Sequence, residues 1–150
     1  MSFIVYEGAD GVGKTFTCKK LSKKNKWFYL KTPPFKKKCK NPKEELDNYI
    51  VGLLLNSFTI REKLAQGKTV ICDRYYSTYL VDCALLGEKP LPWLKEYLPV
   101  PDKEVLLTAP WEVVVKRLKR KRKRSDLENE IIKDEKVYRK VEKKFRKVLD

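Results

Sequence analysis

Two apolar patterns take turns along this chain. Short, nearly unbroken apolar runs predict strands at residues 1–9, 27–31, 69–72 and 104–108, and the third is continuous enough to be buried on both faces. Between them, apolar residues recur by threes and fours, which predicts helices over residues 14–24, 44–66 and 75–86. The longest carries Leu46, Tyr49, Ile50, Leu53, Leu54, Phe58, Ile60 and Leu64 on its apolar face, with Gly67 suited to close it. Pro110 opens a further helix at its first turn, running through residues 113–115 into 116–124. Ser125, Asp126, Leu127 and Glu128 have the spacing of a capping box and open one last helix, with Leu127, Ile131, Tyr138, Val141, Phe145 and Val148 as its buried stripe. Pro33 and Pro34 end the second strand, residues 35–43 read as a loop, and residues 90–102, with four prolines, as irregular. Strands alternating with helices imply right-handed crossovers and a parallel sheet of four strands, or five, between two helical layers. At 150 residues this is expected to be one domain.

The turn between the first strand and helix changes the picture most. Gly8, Ala9, Asp10, Gly11, Val12, Gly13, Lys14 and Thr15 fit the phosphate-binding pattern G-x-x-x-x-G-K-S/T, in the strand-loop-helix context that the pattern needs. Glycines let the backbone curl so that its N–H groups meet phosphate oxygens at a helix N-terminus. Lys14 is placed to reach the β and γ phosphates of a nucleotide such as ATP, and the Thr15 hydroxyl to hold Mg2+. The α/β fold is therefore expected to be the three-layer P-loop NTPase type. Asp73, closing the apolar run 69–72, supplies the second acid that organises Mg2+ in such sites. Arg74 beside it, at a strand tip, suits bidentate grip of a second phosphate, which an acceptor substrate requires and ATP hydrolysis does not.

Charge sharpens this further. The net charge of +15 is concentrated in residues 116–124, where eight of nine positions are basic. One dense block beside a phosphate loop favours an anionic small molecule over a long polyanion, although a solvated basic helix or a nucleic-acid patch is the alternative reading. With no histidine and no C-x-x-C pair among four cysteines, the usual zinc sites lack ligands. Free thiols fit a reducing cytoplasm, and no stretch has the length and apolarity of a membrane span or a leader peptide, so the chain is expected to be cytoplasmic.

Residues 6–15 resemble the opening of thymidylate kinases, and residues 60–75, ending in Asp73-Arg74-Tyr75, are similar to that family's helix, strand and Asp-Arg-Tyr signature. Residues 111–128 resemble, more loosely, its helix leading into a basic lid and an acidic cluster. The resemblance implies transfer of the γ-phosphoryl of ATP to a nucleoside monophosphate, most directly dTMP, with Mg2+ and a homodimeric assembly. It implies that Lys14 stabilises the transferring group, that Thr15 and Asp73 serve Mg2+, and that Arg74 holds the acceptor phosphate. Asp10 would face the acceptor. Since Val12 and its neighbours carry no arginine, the resemblance turns to a lid over about residues 116–128, with Arg120, Arg122 and Arg124 as candidates.

The chain departs from the family at several positions. Where the family offers an aromatic and then an arginine to thymine stand Tyr49 and Leu53, and Tyr49 suits a stacked base and a core aromatic equally. A further phosphate-binding arginine falls at Phe35, leaving Lys31 or Lys36 to substitute. Val81-Asp82-Cys83 stands where the family has Ala-Tyr-Gln, so Tyr79 or Tyr76 would take over that tyrosine's part. The family usually continues past the last helix into a fifth strand and helix that carry part of the adenine site, so the resemblance implies either a four-stranded sheet with a looser adenine pocket or an edge supplied some other way.

Overall fold

The computed structural model describes residues 1–150. Its centre is a sheet of four parallel strands in the order β2-β3-β1-β4. The elements run β1 (Phe3–Glu7), α1 (Lys14–Asn25), β2 (Phe28–Lys31), α2 (Pro42–Ala65), β3 (Val70–Asp73), α3 (Tyr76–Leu86), a 3-10 turn (Leu94–Tyr97), β4 (Lys103–Leu106), α4 (Trp111–Lys119), α5 (Asp126–Lys133) and α6 (Glu135–Leu149). Every residue of β3 is buried, as its unbroken apolar run requires. At the edge, β4 exposes Lys103 and Glu104, charges that discourage pairing with another chain.

Strand register decides where chemistry can occur. Tyr6 lies opposite Asp73, Lys31 opposite Asp73, and Glu7 opposite Leu106, so the carboxyl ends of β1, β2 and β3 are level. Ligands of open α/β sheets bind just outside such ends.

Two apolar cores lie within the fold. One gathers Phe3, Val5, Leu30, Leu53, Ile60, Tyr79 and Leu94 beneath α2 and α3, with the rings of Phe3 and Tyr75 edge-on at 5.0 Å. The other joins Ala9 and Val12 of the loop to Val81, Val114, Leu118, Ile131, Tyr138, Val141 and Phe145. The phosphate loop is thus seated on the helices that follow β4.

The structure corrects several boundaries. The last helix is two, broken at Asp134, whose backbone is extended (φ −147°). The Lys136 N–H donates to the Asp134 carboxylate, a local bond that competes with a continuing helix. Pro110 caps α4 from outside rather than opening its first turn, and α4 ends at Lys119, so the basic segment leaves the helix midway. The capping box forms as expected, with Ser125 and Glu128 each accepting the other's backbone N–H. Phe58, assigned to the apolar stripe of α2, is instead 71% exposed. No helix is long and apolar enough to cross a membrane.

Candidate active site

The loop between β1 and α1 owes its shape to backbone freedom. Gly8, Gly11 and Gly13 have φ of 145°, 84° and 98°. A Cβ at Gly8 would collide with the Leu107 carbonyl oxygen, a backbone atom that cannot yield. Gly13 caps α1 without a side-chain bond, which leaves the first-turn N–H groups free for an anion. Asp10, Gly11, Gly13, Lys14 and Thr15 line a cavity of about 320 Å³, while the side chains of Ala9 and Val12 are buried in the second core. Lys14 is buried, and its Nζ donates to the Ala9 carbonyl at 2.6 Å. Burial, reinforced by Arg74, lowers its pKa to about 7, against the pull of Asp10, Asp73 and Glu7. An anion arriving in the loop would favour the protonated form of this lysine and push its pKa back up.

Thr15 and Asp73 come together across the cavity, the threonine hydroxyl donating to Asp73 Oδ2. The same oxygen accepts from the Tyr29 hydroxyl at 3.3 Å. Asp73 Oδ1 is buried with no hydrogen-bond partner. A buried carboxylate oxygen without a donor, beside a threonine hydroxyl, fits a hard cation. No cluster of three or more acidic, cysteine or histidine ligands exists, so an ion here would take its remaining ligands from phosphate and water, as Mg2+ commonly does.

One residue further, Arg74 adopts a left-handed backbone (φ 70°), held by a bond from its N–H to the Tyr6 carbonyl at 3.0 Å. Its guanidinium pairs with the Asp10 carboxylate and lies 3.4 Å from the Gly8 carbonyl oxygen. Burial would raise the Asp10 pKa, but Arg74, Lys14, Lys121 and Lys31 together hold it below the usual carboxylate value. For Arg74, burial disfavours the charge, but Asp10, Tyr49, Asp82 and Glu7 together more than restore it, so the pKa rises.

Glu7, which its sequence context did not single out, helps to shape the candidate site. Fully buried at the end of β1, it accepts from the Tyr75 N–H at 2.9 Å, the Thr78 N–H at 3.4 Å and the Thr78 hydroxyl. It thereby fixes the start of α3 and, through it, the backbone of Arg74. Burial lifts its pKa to about 7, against those hydrogen bonds and Arg74. The available signal was an acid placed immediately before the loop in an apolar strand.

The basic segment is arranged differently from the expectation. Arg120, Arg122 and Arg124 are exposed and none lines the cavity; Arg124 turns to Asn129 and the Lys121 carbonyl. Arg117 lines it instead, donating to the Gly11 carbonyl at 3.2 Å and lying where a Cβ on Gly13 would come within 3.1 Å. The reason is helical geometry: Arg117 precedes the end of α4 and shares its seat with buried Val114 and Leu118, whereas the other three lie beyond that end. Lys121 also reaches the cavity, paired at 2.6 Å with buried Glu128.

The expected acceptor residues divide as well. Lys31 lines the cavity; Lys36 does not, and is exposed on the following loop. Tyr49 is a core residue whose hydroxyl donates to the Tyr75 carbonyl at 2.7 Å, and Tyr79 is a core residue whose hydroxyl accepts from the Leu91 N–H. Neither ring lines the cavity. Tyr76 is half-buried against the same core and does not line it either. A larger depression of about 510 Å³ lies on α6 among Glu135, Lys136, Arg139, Lys140 and Lys143, but it is the polar face of one helix and brings no distant residues together.

The thymidylate kinase family model matches residues 53–150 of this chain. A protein of Methanocaldococcus jannaschii named "Probable thymidylate kinase" is 32% identical over 133 residues, which span 79% of this chain and 70% of that protein. Among solved structures, the thymidylate kinase of Candida albicans, described as revealing the origin of its broad substrate specificity and a novel structural element, superposes with a TM-score of 0.70. It is 20% identical, over 99% of this chain and 78% of its own. The thymidylate kinase of Ehrlichia chaffeensis gives 0.65 at 20% identity, over 98% of this chain and 80% of its own. The two structures speak for a shared fold.

Proposed function

Because this chain belongs to the thymidylate kinase family, we propose that it transfers the γ-phosphoryl of ATP to a nucleoside monophosphate, most directly dTMP to give dTDP. The observation that carries the reading is the meeting of Lys14, the Thr15–Asp73 pair and Arg74 around one cavity, a donor loop facing a second phosphate grip.

The parts divide the work. The loop N–H groups and Lys14 hold the donor phosphates and offset charge that builds on the transferring group. Mg2+, held by Thr15 and Asp73, would neutralise phosphate oxygens when bound. Arg74 orients the acceptor phosphate, and Asp10 keeps the guanidinium pointed at it. Arg117 sits against the loop and supplies the arginine that Val12 does not, while residues 116–128 act as a lid over the site. We place the chain in the cytoplasm, where its four unpaired cysteines stay thiols.

A homodimer belongs to the same proposal. Val51, Leu55 and Phe58, spaced by four and three on α2, are 48%, 48% and 71% exposed, an apolar stripe suited to the same helix of a second copy. A second reading, a kinase for a different nucleotide, has its own support: Leu53 is buried in the core and Tyr49 is spent on a backbone carbonyl, so neither is available to thymine.

The test is phosphoryl transfer from ATP, with Mg2+, to each deoxy- and ribonucleoside monophosphate in turn. We expect dTMP among the best acceptors and Lys14→Ala to lower kcat by roughly 10³-fold, on the scale of lost transition-state charge stabilisation. Equal turnover of dTMP by the variant and the wild type would refute the assignment.

A further inference from the structure

One aromatic side chain at the phosphate loop is left out of both cores. Phe16 is 73% exposed, although Thr15 and Thr17 on either side of it are half-buried. Single apolar residues on a surface are ordinary, but this ring lines the cavity of about 320 Å³. Leu118 is the other large apolar residue of that wall, and it is buried in the second core. Phe16 therefore presents the one apolar face that a ligand in the cavity could cover.

Its place in the first turn of α1 decides which part of a ligand it would meet. The first backbone bond of the helix runs from the Thr17 N–H to the Gly13 carbonyl at 3.0 Å, which leaves the N–H groups of Lys14, Thr15 and Phe16 open to phosphate. Thr15 turns its hydroxyl to Asp73 at the tip of β3, where Arg74 follows. A γ-phosphoryl handed to an acceptor phosphate on Arg74 must lie at that end, so the α-phosphate and the nucleoside beyond it lie at the other, past Phe16. Gly13 is three residues before Phe16, on the same side of the helix, and the Arg117 guanidinium lies beside it, so a cation and a ring flank the way out. No asparagine, glutamine or serine lines the cavity, and the Thr15 hydroxyl is occupied by Asp73, so no neutral polar side chain is left to read the edge of a base.

We propose that Phe16 is the platform on which the base of the donor nucleoside triphosphate stacks, so that the donor site holds a base by its face and distinguishes little between adenine and guanine. The inference rests on the kinase reading above. Stacking on an aromatic ring tolerates any base because every base presents a π-face, whereas telling one purine from another needs hydrogen bonds to its edge.

The experiment is calorimetric titration of the protein, with Mg2+ and without acceptor, by ATP, GTP and inorganic tripolyphosphate. For the wild type we expect Kd values for ATP and GTP within about threefold of each other. Phe16→Ala should weaken both by roughly tenfold and leave tripolyphosphate, which has no base, within about twofold of its wild-type value. Phe16→Tyr, which keeps the ring, should bind all three as the wild type does, and the exposure of the position lets both variants fold. In turnover, Phe16→Ala should raise KM for ATP while leaving KM for dTMP within about twofold. An equal loss for all three ligands would show the side chain acting on the loop rather than on a base, and an unchanged affinity for ATP would show that nothing stacks there; either overturns the proposal. So does a wild type that prefers ATP to GTP by roughly thirtyfold or more, since the base edge is then read. A protein that binds the three ligands as proposed yet phosphorylates no nucleoside monophosphate overturns the kinase reading and leaves the platform standing, and one that binds no triphosphate overturns both.

Discussion

The tips of β1 and β3 and the basic segment after α4 are both rich in charge and are built on opposite principles. At the tips, Lys14, Asp73 and Glu7 are buried, and each side chain is fixed by backbone, by a hydroxyl or by an opposite charge. In residues 116–124 the cations are exposed, and one arginine, Arg117, touches the phosphate loop. Charge density in a sequence therefore marks a region, while the reach of a particular side chain is set by the backbone beneath it. Arg117 is useful because Val114 and Leu118 anchor its turn of helix in the second core; Arg120, Arg122 and Arg124 have no such footing.

The largest expected effect that sharpens this contrast comes from arginine substitutions. Arg117→Ala should lower kcat by about 10²-fold, whereas replacing Arg120, Arg122 and Arg124 together with alanine should change it by less than about threefold. Steady-state kinetics with saturating ATP decides the matter, and the reverse ranking would restore the distal arginines as the lid's working residues.

Next in size is a dependence of stability on pH that only the buried region can produce. Lys14 has a folded pKa depressed to about 7, so above that value the unfolded chain holds the proton longer and stability rises with pH, up to its unfolded value. Glu7 is raised to about 7, so its contribution is fully present below the ordinary carboxylate range and is lost as pH climbs toward 7. The two windows meet near neutrality, where these groups leave the free protein least stable. Thermal melts of Lys14→Met from pH 7 to pH 10 should lack the rise seen in the wild type, a slope of at most about 1.4 kcal/mol per pH unit. Parallel melting curves for the two proteins would show that Lys14 is charged throughout.

The smallest effect on the fold is expected at the exposed stripe of α2. Phe58→Glu should convert a dimer to a monomer in sedimentation while shifting unfolding free energy of the protomer by less than about 1 kcal/mol, as surface changes usually do. A wild type that sediments as a monomer would remove the stripe's assigned partner.

Much of the site was legible in sequence because its residues are tied to backbone features with local signatures. Gly8, Gly11 and Gly13 demand positive φ, Lys14 begins a helix, and Asp73-Arg74 ends an apolar run; each can be read without tertiary contacts. What resisted reading depends on packing across the chain. Glu7 gains its meaning from Thr78, 71 residues away, and Arg117 from Gly11, 106 residues away. Tyr49 illustrates the same limit, since nothing in its helical spacing tells a ring facing a ligand from one whose hydroxyl reaches the Tyr75 carbonyl. The break at Asp134 was hidden because an apolar stripe of helical period continues through it, and period alone carries no information about a local side-chain bond.

The left-handed backbone at Arg74 ties recognition to folding. A non-glycine residue there costs about 1–2 kcal/mol relative to ordinary helical or extended geometry, and it stays because the Tyr6 carbonyl and Asp10 hold it from both sides. In the acceptor role proposed for Arg74, the guanidinium would be aimed before any acceptor arrives, with little rotational freedom left to surrender on binding. Heritable drift toward a more relaxed residue 74 would thus make a sturdier protein with a weaker grip, so selection for heat tolerance and selection for acceptor affinity pull this one φ angle in opposite directions.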